Sequence, residues 1–119
     1  MKYILPIFLA FLLSSCGSEQ AKTNPAESDA HLRLGIEFAQ YSLFRNALDE
    51  FDLAIKFDQK NYKAYDKKGL VLFGLKEYDQ AKILFEKTIA LKPDYTQAYV
   101  NLGMVFYMQK NMDSARNTW

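Results

Sequence analysis

The chain has one cysteine, one histidine and one tryptophan among its 119 residues. A lone thiol, Cys16, closes no internal disulfide, so the fold must hold by packing alone. One cysteine and one histidine cannot supply an all-Cys/His zinc site with its usual ligand count. There is no Gly-x-Ser-x-Gly elbow, no Walker loop and no His-Glu-x-x-His helix. Fifteen basic residues stand against fourteen acidic ones, and no five like charges run together. Nucleic-acid recognition needs a clustered surplus of Lys or Arg, which this balance does not offer. The apolar run Ile4–Leu13 is too short for a comfortable membrane span. These absences point away from an enzyme, a metal or cofactor protein and a nucleic-acid partner.

What is present is a period. Gly35, Gly69 and Gly103 are spaced by 34 residues, as are Ala47, Ala81 and Ala115, and Phe51, Phe85 and Trp119. Apolar residues recur at helical spacing from Ser28 onward. They predict helix pairs at about 28–41 and 44–57, 62–75 and 78–91, and 95–109 and 112 to the end. Ser28 or Asp29 is the expected first N-cap, and Lys92-Pro93-Asp94 a stop and restart. A glycine inside a helix costs about 1 kcal/mol against alanine, so three in one slot need a reason. Each is followed twelve residues later by an alanine, and two small residues let paired helices approach closely. The aromatic four residues past that alanine would wedge between helix pairs. Self-similarity at this period marks a helical-hairpin solenoid, whose usual work is binding rather than chemistry.

The residues themselves resemble the tetratricopeptide repeat (TPR) family. That pattern runs aromatic, Leu-Gly, large apolar, Ala, aromatic, Ala, Pro. Here it reads His31, Leu34-Gly35, Phe38, Ala47, Phe51, Ala54, Gln59; then Tyr65, Lys68-Gly69, Leu72, Ala81, Phe85, Thr88, Pro93; then Tyr99, Leu102-Gly103, Phe106, Ala115, Trp119. The departures are His31, Lys68, Thr88 and Gln59. The resemblance implies an all-α solenoid with two full repeats and an incomplete third: 28–61, 62–95 and 96–119. His31 is expected to pack in an aromatic slot, and Lys68 to bury its stem with its ammonium in water. The run Asp49, Glu50, Asp52 is expected on a solvated face.

In such an architecture the first helix of each pair lines a concave surface. At the repeat spacing that surface carries Leu32, Asp66 and Val100; Ile36, Leu70 and Met104; Ala39, Phe73 and Tyr107; then Met108. A helix apolar on a second stripe, apart from Leu34, Gly35 and Phe38, is either deeply buried or presents a groove. Methionine and aromatics suit an adaptable groove for an apolar protein or peptide segment. Self-association through an open solenoid end is a further expectation.

The N-terminus reads separately. Lys2 precedes the apolar run Ile4–Leu13, and Ser14-Ser15-Cys16-Gly17 follows, the layout of a secretory signal over 1–15. Leu13-Ser14-Ser15-Cys16 resembles a bacterial lipoprotein lipobox. That resemblance implies lipidation at Cys16, cleavage before it, and a membrane-held protein of the bacterial envelope. No aspartate follows the cysteine, which favours the outer membrane. The polar stretch to residue 27 reads as a flexible tether. The expectation is a lipid-anchored, non-catalytic scaffold. The alternative is the interaction arm of a longer enzyme or sensor, since Trp119 falls before the third pair is finished.

Overall fold

The computed structural model describes residues 22–118. The signal over 1–15, Cys16 and the aromatic Trp119 lie outside the described residues. Among the described residues five helices follow in order: α1 (Pro25–Gln40), α2 (Phe44–Phe57), α3 (Tyr62–Gly74), α4 (Tyr78–Leu91) and α5 (Thr96–Thr118). The first four form two antiparallel hairpins stacked side by side, and α5 packs as the first helix of a third.

The first helix begins three residues earlier than the apolar spacing predicts. Asn24 is the N-cap: its Oδ1 accepts from the Glu27 backbone N–H at 3.1 Å, and its Nδ2 donates to Glu27 Oε2 at 2.9 Å. Pro25 then takes the first helical turn, where a missing N–H costs nothing. The Asn24 backbone N–H donates to Phe57 O at 2.8 Å, which ties the chain's entry to the end of α2. Ser28, expected as a cap, is instead fully buried and donates from Oγ to Ala54 O at 2.7 Å.

Both hairpin turns close in the same way. Ser42 and Lys76 adopt φ of 59° and 65°. Leu43 N–H donates to Phe38 O, and Glu77 N–H to Leu72 O, each at 2.9 Å. These bonds satisfy carbonyls that the helix end leaves without a partner. The third turn, expected near 110–112, does not form, and α5 runs unbroken through Lys110, Asn111 and Met112. A left-handed residue other than glycine costs about 1–2 kcal/mol. In the first two repeats the returning helix buries Phe51 or Phe85 and offsets that cost.

Two clusters make the core. One joins Leu32, Ala47, Phe51, Ala54, Ala64 and Val71, and the other joins Leu72, Tyr78, Ala81, Phe85 and Val105. Phe51 and Phe85 are their centres, 1% and 0% exposed. Burying one such ring contributes about 1.5–3 kcal/mol. The glycine slot is explained by these rings rather than by the alanines. A β-carbon on Gly35 or Gly69 would stand 2.6 Å from Cε1 of Phe51 or Phe85, whereas one on Gly103 would meet nothing within 4 Å. Leu34, expected in the core stripe, is 39% exposed. Further contacts tie the start of each hairpin to the start of the next first helix. Asn61 Nδ2 donates to Ser28 Oγ at 2.8 Å, and the Tyr62 and Tyr95 rings meet edge to face at 5.1 Å.

Candidate protein-binding groove

Helices α1 and α3 lie on the same side of the stack and leave a cleft of about 340 Å³ between them. Ile36 and Ala39 reach it from α1, and Leu70, Val71 and Gly74 from α3, with Phe44 of α2 closing one end. Ile36 and Ala39 share a helix face one turn apart, as do Leu70 and Gly74. Gly74 carries no side chain, and a β-carbon there would meet nothing within 4 Å. The walls are apolar, and Lys67 and Gln40 supply the polar rim.

The residues expected on the concave stripe separate into three groups. Ile36 and Leu70, with Ala39, meet in this cleft. Val100, Met104 and Tyr107 stand on α5, 52%, 37% and 66% exposed, outside the cleft. The remaining four are drawn into packing. Leu32 is in the first core cluster, and Met108 packs against the second. Phe73 is half-buried and meets Tyr78 edge to face at 5.4 Å. Asp66 is fully buried between the second and third repeats. Leu32 and Asp66 therefore present no open surface to a ligand.

Asp66 has a distinct environment. Its Oδ1 accepts from Asn101 Nδ2 at 2.8 Å, and Tyr95 Oη donates to Oδ2 at 3.4 Å. Lys67 Nζ stands 4.0 Å from Oδ2. Burial raises the Asp66 pKa above the ordinary aspartate range, opposed in part by the Asn101 hydrogen bond, the Lys67 charge and the Tyr95 hydroxyl. Burial, and then the Asp66 charge, also push the Tyr95 phenol up. The pair is a polar joint between repeats.

Other side chains settle into structural roles. His31 stacks on Phe57 with ring centres 5.4 Å apart, and its Nδ1 lies 2.6 Å from Glu50 Oε2. Lys68 places Nζ 2.7 Å from Asp52 Oδ1, so two members of the acidic run hold neighbouring helices. Sequence spacing missed Gln40, Phe44, Lys67, Val71 and Gly74 in the cleft. Phe44 reaches it only because the Ser42 turn brings the start of α2 back beside α1. Among the described residues no cluster of His, Cys, Asp and Glu could hold a metal ion, and no helix is long and apolar enough to cross a membrane.

Residues 62–95 match the tetratricopeptide repeat. The chain is 30% identical over 95 residues to anaphase-promoting complex subunit 3 of Schizosaccharomyces pombe, a match that takes in 80% of this chain and 14% of that protein. It is 27% identical over 109 residues to the type IV pilus assembly protein PilF of Pseudomonas aeruginosa, covering 83% of this chain and 43% of that one. The chain thus spans less than half the length of either relative. Among solved structures it superposes on the first TPR of Spaghetti (RPAP3) bound to the HSP90 peptide SRMEEVD, with a TM-score of 0.73, 18% identity, and coverage of 82% of this chain and 77% of that one.

Proposed function

Starting from a tetratricopeptide-repeat solenoid of two full hairpins and part of a third, we propose that this chain is a non-catalytic scaffold that holds an apolar segment of a partner protein. The observation that carries the reading is the cleft where Ile36, Ala39 and Leu70 converge with Val71 and Gly74. It is preformed and lined mainly by apolar side chains. Val100, Met104 and Tyr107 hold the equivalent repeat positions on α5 and are exposed. A solved neighbour with the same fold carries a bound peptide, which supports a peptide-sized occupant. The apolar walls favour a ligand read by its hydrophobic side chains. Changing Leu70 and Met104 to Asp together tests it. Partner capture should fall while helicity holds, and a loss of helicity would place the pair in the core instead.

The scaffold is held at a bacterial membrane through lipid on Cys16. The lipobox-like Leu13-Ser14-Ser15-Cys16 after an apolar run supports this, and so does the similarity to a pilus assembly protein of a bacterium. Two or three acyl chains hold a protein stably where one does not. Labelling with a palmitate analogue decides it: the label should appear on the wild-type chain and vanish in Cys16→Ser. An unlabelled wild-type chain would remove the anchor.

A further inference from the structure

A second cleft, of about 780 Å³, opens at the end of the first hairpin opposite the Ser42 turn, where the chain enters. Thr23 and Pro25 form one edge, the end of α2 and the turn after it form the floor, and Tyr65 and α4 close the far wall. Three lysines ring it: Lys56, Lys60 and Lys87. All three are exposed, and none pairs with a carboxylate among the described residues. Lys87 lies over the Tyr65 ring at 5.8 Å. Asp58 is the one acid lining the cleft, and Lys22, also exposed, continues the basic edge just before Thr23. On a chain whose charges nearly cancel, this is a local surplus with no partner of its own.

Its place in the chain suggests the partner. Thr23 follows Cys16 by seven residues. Seven residues reach at most roughly 25 Å when fully extended, and the Asn24–Phe57 backbone bond fixes their end to the rim of this cleft. A lipid on Cys16 would therefore keep these lysines within about a tether's length of a bilayer. We infer that the Lys56–Lys60–Lys87 cleft is a second membrane contact, which receives the phosphate headgroups of anionic phospholipids. The inference rests on the anchoring proposed above. It sets the orientation of the scaffold: the end that carries the basic cleft faces the bilayer, and the Ser42-turn end, with Phe44 of the groove, is the far one. Each lysine near an anionic surface strengthens binding roughly fivefold, and three by about a hundredfold.

The experiment uses the full chain with vesicles of phosphatidylcholine alone or with one third phosphatidylglycerol. On reconstituted protein, amine acylation read by mass spectrometry should slow at Lys56, Lys60 and Lys87 on the anionic vesicles only. Lys82 and Lys110 should react alike on both. In parallel, unlipidated chain is sedimented with the same vesicles. It should bind the anionic ones preferentially, less so as salt rises, and the triple variant Lys56→Gln/Lys60→Gln/Lys87→Gln should lose that preference. Equal acylation on both vesicles, or a preference that survives the triple variant, overturns the inference. So does an acidic peptide that protects the same lysines when anionic vesicles do not. The mass of the N-terminal peptide reports independently whether Cys16 carries lipid. Failure of the anchor and failure of the cleft are thus read from different signals.

Discussion

The Phe85 ring occupies the space that a side chain on Gly69 would need. A β-carbon there would stand 2.6 Å from Cε1 and 3.0 Å from Cδ1 of that ring. Phe51 and Gly35 repeat the relationship one hairpin earlier. The ring is fully buried and cannot swing aside without opening the second core cluster. The conserved interval within this chain therefore records a ring-to-backbone contact between the two helices of a hairpin.

Substituting the glycines should separate the three repeats. Gly35→Ala and Gly69→Ala should each destabilise the fold by about 1–3 kcal/mol, the usual cost of overpacking. Gly103→Ala meets open space and should stabilise α5 by up to about 1 kcal/mol through helix propensity. Chemical denaturation followed by circular dichroism measures both. Equal effects at all three positions would show that the ring contact does not decide the slot.

The turn residues give a second contrast. Ser42 and Lys76 hold positive φ without being glycine. Lys76→Gly should raise stability by about 0.5–1 kcal/mol by removing the strain of a left-handed side chain. Lys76→Val should lower it by at least as much, since a β-branched residue tolerates that conformation worst. Midpoints of thermal unfolding for the two variants check the order.

Asp66 makes stability depend on pH. Its folded pKa is raised by burial, so between the unfolded and folded values the native state binds the proton more tightly. Stability from this group is present below the ordinary aspartate pKa and is lost as pH rises through the raised one. Asp66→Asn keeps an acceptor for Asn101 and removes the titration. The wild-type chain should therefore lose stability as pH climbs above the ordinary aspartate range, and the variant should lose less. Parallel pH profiles for the two chains would assign the effect elsewhere.

The groove calls for a graded test. Ile36→Asp with Leu70→Asp places two carboxylates on apolar walls that are half-buried but open to solvent. Affinity for an apolar peptide should fall at least tenfold, which corresponds to about 1.4 kcal/mol. Titration calorimetry alongside circular dichroism separates lost binding from lost fold.

Much of the fold was legible before any coordinate. A period of 34 with Gly, Ala and aromatic in register specified stacked helical hairpins, and four helices begin within a residue of where apolar spacing puts them. The start of α1 was less visible, because Asn24 and Pro25 act through a cap and a backbone tie to Phe57 rather than through apolar spacing. The concave stripe was legible as a row of positions, and the groove itself was not. Ile36 and Leu70 occupy it, while Leu32, four residues before Ile36, is core.

Sequence alone determined the repeat and the start of its second, third, fourth and fifth helices, because helical periodicity is a local property of the chain. Only the tertiary structure decided which apolar residues stay open. That depends on what lies over them: Asp66 is buried where Tyr95, just before α5, and Asn101, on α5, reach it. Met104, on the same helical stripe, stays exposed on α5, over which no further described helix is laid. Equal spacing places residues on equal faces, and neighbours that lie far along the chain determine whether each face is core or site.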